Sequence, residues 1–325
     1  MSTTRTWSDR LAEPPIPVAQ LVRALEAGEP PFPPREDDVS TAALVRLRPR
    51  LGAVEVRDIP VRGPRGPVPA RLYVPAGRDA EVAVPDLVWF HGGAFLSGDL
   101  DMPESHWVAL ELAARGHVVL TGDYVKAYGG ARLPEPVDDA LAVWRWAVDR
   151  AGEAGAPAPH LGGASAGAAL VGLTALRLRD GAGPAPRSLL LVYPTMHRRL
   201  PEISAELRAA LEAMPPTEMA FTPESVELLN GYLAPDVPLA DAFAGEADLT
   251  GLPPSLVLNV EWDSLRASGE RFARQLADAG VPVVRVTEEG AVHGHLDRPG
   301  DPTALASLER MSAWLSPDGG VHPTV

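Results

Sequence analysis

The chain has 325 residues, a formal charge of −14 and a sequence pI near 5.0, a balance that argues against nucleic acid or an anionic membrane surface as partner, since both demand a basic face. With no cysteine it has neither a disulfide framework nor a thiolate metal site. Its first twenty residues lack a signal-peptide apolar core and no apolar run approaches the ~18 residues of a membrane span, so a cytoplasmic protein is expected.

Residues 1–50 read as a helical preface. Val18, Leu21, Val22 and Leu25 fall at helical spacing, Pro30, Pro31, Pro33 and Pro34 form a hinge, and Ser40 offers an N-cap for a second helix. Such a segment is suited to covering a pocket. Two short alternating runs, 54–59 and 70–74, flank the turn-rich stretch 62–67 and predict an antiparallel hairpin.

From residue 86 onward, apolar runs alternate with amphipathic helices. Strands are predicted at 87–90, 117–120, just before Ser165, and 188–193. Helices are predicted at 103–115, along the face carrying Val137, Leu141, Trp144 and Val148, and at 166–179. This alternation predicts an α/β fold with a mostly parallel central sheet, helices on both faces, and ligands at the carboxyl ends of the strands. Between 194 and 254 the alternation breaks into two helices, 202–213 and 224–232, with proline-containing loops and no central strand. It resumes with a strand at 255–260, a helix bearing Leu265, Gly269, Phe272 and Leu276, a strand at 281–286 and a closing helix with Leu305, Leu308, Met311 and Leu315. The expected organisation is a core over 51–193 and 255–325, N-terminal cap helices over 1–50 and a cap insertion over 194–254.

The chemistry-bearing stretch is Gly163-Ala164-Ser165-Ala166-Gly167. A Gly-x-Ser-x-Gly turn drives a strand directly into a helix and exposes the serine hydroxyl on a strained backbone, with the flanking glycines preventing collision across the bend. The same residues could form a small-residue turn with an N-capping serine, so partners must decide. His91-Gly92-Gly93-Ala94-Phe95 follows a predicted strand, and its amides, with that of Ala166, can turn toward an oxyanion. His91 itself reads as a tie for that loop. Asp263 lies just beyond the strand at 255–260, where an orienting acid is required, with Glu261 as competitor and helix capping as its plainer role. His293 follows the last strand, giving the chain order Ser, Asp, His, with His295 as the alternative base. A His-x-His pair can also bind metal, but no further ligand motif lies nearby.

Taken together, HGGAF, GASAG, EWDSLRASG and VHGH, in this order and on these elements, resemble the hormone-sensitive-lipase-like group of α/β-hydrolases over about residues 50–316. The resemblance implies an α/β-hydrolase fold with a helical cap, Ser165 as nucleophile, Asp263 as acid, His293 as base, and oxyanion donors among the amides of Gly92, Gly93, Ala94 and Ala166. Four departures stand out: Ala94 for a third glycine, Ala164 for an aspartate, Ser264 for a proline and His295 for an aromatic. The family's DYRLAPE segment appears as Asp123-Tyr124-Val125-Lys126-Ala127-Tyr128-Gly129.

The expected function is a serine hydrolase cleaving short-acyl carboxylic esters without a cofactor or metal, acting on a small molecule. An amide or N-acetyl deacylase, a lactonase, and a non-catalytic ligand-binding relative are the alternatives, and a homo-oligomer is left open.

Overall fold

The structure is a computed structural model that describes residues 23–29, 39–127, 130–215 and 221–316. Most of the helix expected at 17–27, and the hinge at 30–34, lie outside these residues. The strands are β1 (Glu55–Gly63), β2 (Gly66–Val74), β3 (Leu87–Phe90), β4 (Val119–Gly122), β5 (His160–Ala164), β6 (Leu189–Val192), β7 (Ser255–Trp262) and β8 (Val283–Val292). They form one sheet in the order β1-β2-β4-β3-β5-β6-β7-β8. The β1–β2 and β2–β4 pairings are antiparallel, and every pairing from β4 through β8 is parallel.

The continuous apolar runs follow from burial on both faces. In β3, Val88 and Phe90 join one core cluster while Leu87 and Trp89 join the other, and β6 divides in the same way. Helices α3 (Glu135–Glu153), α4 (Ala166–Arg177) and α8 (Arg266–Asp278) cover the first face. Helices α2 (His106–Ala113) and α9 (Pro302–Leu315) cover the second. With both faces covered by helices, the carboxyl ends of β3, β5, β7 and β8 are left to carry functional groups.

Three strands, β1, β2 and β8, extend well beyond the sequence expectation. The β1–β2 ladder continues to a two-residue turn at Pro64 and Arg65, with Pro60 opposite Pro69. Prolines are tolerated there because β1 is an edge strand and β4 pairs with β2 only over 70–73. The last strand, expected to end at 286, runs to Val292. It too is an edge, and its polar Glu288 is buried against Ser307 (3.3 Å) and Arg310 (3.1 Å).

Helix α1 (Thr41–Leu47) begins at the expected cap, Ser40, whose hydroxyl accepts from the Ala43 amide. Leu44 packs into the second cluster with Trp107, and Thr41 bonds His106 at 2.8 Å, so α1 is docked on α2. Residues 194–254 supply α5 (Ala205–Glu212), α6 (Pro223–Leu233) and α7 (Leu239–Ala242), with no strand among the described residues. Ser204 caps α5, and Thr222 with Ser225 forms a capping box on α6.

Candidate active site

Ser165 sits between β5 and α4 at φ 53°, ψ −119°, a region costing a non-glycine residue about 1–3 kcal/mol. The flanking glycines are sterically required. A Cβ on Gly163 would lie 2.5 Å from the Gly167 carbonyl, and one on Gly167 would lie 2.2 Å from the Phe90 carbonyl oxygen. The serine does not cap α4. Its Oγ lies 3.0 Å from His293 Nε2, and His293 Nδ1 lies 2.8 Å from Asp263 Oδ2.

Each partner is positioned by its strand end. A bulge in the β7–β8 ladder between Val260 and Trp262 redirects the chain just before Asp263. Asp263 is 1% exposed, and its Oδ1 accepts from the Leu265 amide at 2.9 Å, so one oxygen is anchored locally and the other faces the imidazole. Glu261 instead accepts from the Gly290 amide at 2.6 Å. His295 is buried, bonded to Ser307 at 2.8 Å, and burial pushes its pKa down to about 3, which leaves it neutral. For His293, burial also opposes the charged ring. The charge and hydrogen bond of Asp263, with Glu104 and Asp297 farther off, outweigh burial and hold its pKa above the ordinary value.

The loop after β3 adopts a left-handed course, with φ of 101° at Gly93, 56° at Ala94 and 62° at Phe95. Alanine therefore occupies a position whose conformation favours glycine. Among the described residues, no acceptor takes the amides of Gly93, Ala94 or Ala166. Gly92 differs from expectation: its N–H donates to the buried carboxylate of Glu104, so it is not available to an oxyanion in this arrangement. The divergent segment after β4 nonetheless supports the loop. Tyr124 donates its hydroxyl to the carbonyls of His91 and Gly92, each at 2.9 Å, and its ring stacks on His91 at 4.8 Å. Asp123 holds His91 Nε2 at 3.1 Å and pairs with Lys126. These bonds outweigh burial and bring the carboxyl down to about 2. His91 is thus a tie for the loop, as its sequence context suggested.

Three contributors were not apparent from sequence. Glu104 accepts from Gly92 and, at 2.5 Å, from the Tyr193 hydroxyl. Burial and nearby Asp297 push its carboxyl up to about 7 against the lowering effect of those bonds. The Tyr193 ring lies 4.9 Å from the His293 ring, and Phe221 meets the same imidazole edge-on at 5.0 Å. Beside Ser165, Ala94, Phe95, Leu133, Ala166, Ala169, Phe221, Leu229, Leu233 and Phe243 line a narrow, largely apolar pocket with about 60 Å³ of free volume. Residues 39–50 contribute nothing to it. Among the described residues no cluster of three or more His, Cys, Asp or Glu could hold a metal ion, and no helix is long and apolar enough to cross a membrane.

A serine on a strained strand-to-helix turn, with a histidine and a carboxylate delivered in that chain order from later strand ends, defines an α/β-hydrolase. A family model described as alpha/beta hydrolase fold matches residues 87–297, and esterase LipI of Mycobacterium tuberculosis is 30% identical over 307 residues, covering 91% of each chain. The chain belongs to this family, in its hormone-sensitive-lipase-like group. An ethyl acetate hydrolase of Pseudomonas putida is 31% identical over 235 residues, 70% of each chain. The crystal structure of esterase LipW from Mycobacterium marinum superposes with a TM-score of 0.70 at 26% identity, covering 94% of this chain and 90% of that one.

Proposed function

We propose that the protein is a serine carboxylic ester hydrolase acting on small esters with short acyl groups. The observation that carries this reading is the hydrogen-bonded line from Ser165 Oγ through His293 to Asp263. His293 Nε2 accepts the serine proton as Oγ attacks the ester carbonyl, while Asp263 fixes the tautomer with the proton on Nδ1 and stabilises the imidazolium. The tetrahedral oxyanion is received by the amides of Gly93, Ala94 and Ala166. His293 then protonates the leaving alcohol, and a water activated by the same nitrogen releases the acid.

The acyl group occupies the apolar pocket, whose limited volume favours short chains. Residues 194–254 act as a cap, since Phe221, Leu229, Leu233 and Phe243 form much of the pocket wall. The relatives named as esterases favour an ester over an amide or lactone.

Initial rates on a p-nitrophenyl ester series test the reading. Acetate and butyrate are expected to exceed decanoate in kcat/KM, and Ser165→Ala is expected to lower kcat by at least about three orders of magnitude. Unchanged turnover in Ser165→Ala rejects the mechanism, and a preference for decanoate rejects the acyl assignment.

A further inference from the structure

Ser264 is adjacent to Asp263, in the turn between β7 and α8, and is 2% exposed. Its hydroxyl reaches into residues 194–254. Oγ donates to the Phe221 carbonyl at 2.8 Å, and the Phe221 N–H donates back to Oγ at 3.2 Å. One side chain therefore holds both backbone polar groups of a residue 43 positions away. The start of α6 does not account for this pairing, because Thr222 and Ser225 already form a reciprocal capping box.

What the pairing fixes is the ring of Phe221. That ring stands edge-on to His293, with centroids 5.0 Å apart and planes inclined at 73°, and walls the pocket beside Ser165 with Leu229 and Leu233. The turn that carries the carboxylate partner of His293 thus also carries the anchor for the aromatic residue covering His293. Displacement of Phe221 removes one wall of the pocket and admits more acyl carbon. A proline at position 264, as in the related pattern, has no hydroxyl with which to make this connection.

We propose that Ser264 is a positioning residue that clamps Phe221 over His293 and thereby limits the length of acyl chain the site accepts. The inference rests on the ester-hydrolase reading above. Loss of the hydroxyl leaves two backbone groups of Phe221 without their partner, and they are satisfied by water only if the segment moves outward. Each methylene then newly buried is worth about 0.8 kcal/mol, or roughly fourfold in kcat/KM.

The experiment is the ratio of kcat/KM for p-nitrophenyl hexanoate to that for acetate. It is measured in wild type, Ser264→Ala, Ser264→Thr, Phe221→Ala and the Ser264→Ala/Phe221→Ala double variant. Ser264→Ala is expected to raise the ratio on the order of tenfold, about what one to two newly buried methylenes supply. Phe221→Ala is expected to raise it similarly, the double variant to add little to either, and Ser264→Thr to keep the wild-type ratio. Ser264→Cys, which is slightly larger than serine, fills the site and weakens both hydrogen bonds, provides the same reading if the alanine variant does not fold. An unchanged ratio in Ser264→Ala or Ser264→Cys, or full additivity in the double variant, overturns the clamp while leaving ester hydrolysis intact. Absence of hydrolysis in the wild type overturns the underlying reading and the clamp with it.

Discussion

Replacing Asp263 with asparagine tests the orientation of the base in a way this geometry makes unusually specific. Oδ1 of Asp263 accepts from the Leu265 amide at 2.9 Å, and Oδ2 faces His293 Nδ1 at 2.8 Å. In Asp263→Asn the carbonyl oxygen stays on the Leu265 N–H, which places the new NH2 against Nδ1. Nδ1 must then accept, the ring proton moves to Nε2, and the nitrogen facing Ser165 can no longer take a proton. The opposite amide orientation restores the tautomer but sets two N–H groups against each other at Leu265, a buried mismatch costing about 1–3 kcal/mol. Loss of the carboxylate also removes the charge that stabilises the imidazolium. Comparable replacements in serine triads lower kcat on the order of 10⁴-fold, about 5.4 kcal/mol of activation free energy. Steady-state rates on p-nitrophenyl acetate, with a thermal melt showing the variant folded, are expected to give a loss of that order. A folded Asp263→Asn retaining more than about a tenth of wild-type kcat refutes the assignment of Asp263.

Glu104→Gln reports on the buried carboxyl beneath the oxyanion loop. Because that group is pushed up to about 7 in the folded protein from a reference of 4.5, its contribution to stability is complete below about pH 4.5 and is lost as pH rises through about 7. The wild type is therefore expected to lose on the order of 3 kcal/mol relative to Glu104→Gln between pH 5 and pH 8, read from urea midpoints. Parallel pH dependences contradict it. Gly167→Ala forces a Cβ to within 2.2 Å of the Phe90 carbonyl at the α4–β3 crossing, where backbone must move. A loss toward the upper end of about 1–3 kcal/mol in chemical denaturation is expected, and wild-type stability contradicts the steric argument.

The sheet was legible where strands are buried on both faces, because apolar runs such as 87–90 and 189–192 admit little other reading. It was least legible at its edges. Prolines suggested a broad turn at 62–67, yet strand pairing continues nearly to the tip, and Glu288 and Glu289 disguised the second half of β8. The candidate reactive groups were legible because each lies in a short local motif: Ser165 between glycines, and His293 and Asp263 just past strand ends; the loop tie His91 was legible in the same way, before its glycine pair.

Glu104 carries no such signature. It is a lone acid ahead of a helix, and its partners Gly92 and Tyr193 come from other strand ends, so only the folded chain brings them together. The same absence concealed its competition for the Gly92 amide. Ser264 was visible as a departure from the family pattern, but its contact with Phe221 spans a long sequence separation and has no local trace.

The most direct test of the central claim is covalent trapping. The protein is incubated with a fluorophosphonate, and the adduct is located by peptide mass spectrometry while p-nitrophenyl acetate hydrolysis is followed. Activity is expected to fall in proportion to a single adduct on Ser165, with Ser165→Ala unlabelled at that peptide. Ester hydrolysis that persists in fully treated enzyme, or an inactivating adduct on any other residue, contradicts the assignment of Ser165 as nucleophile.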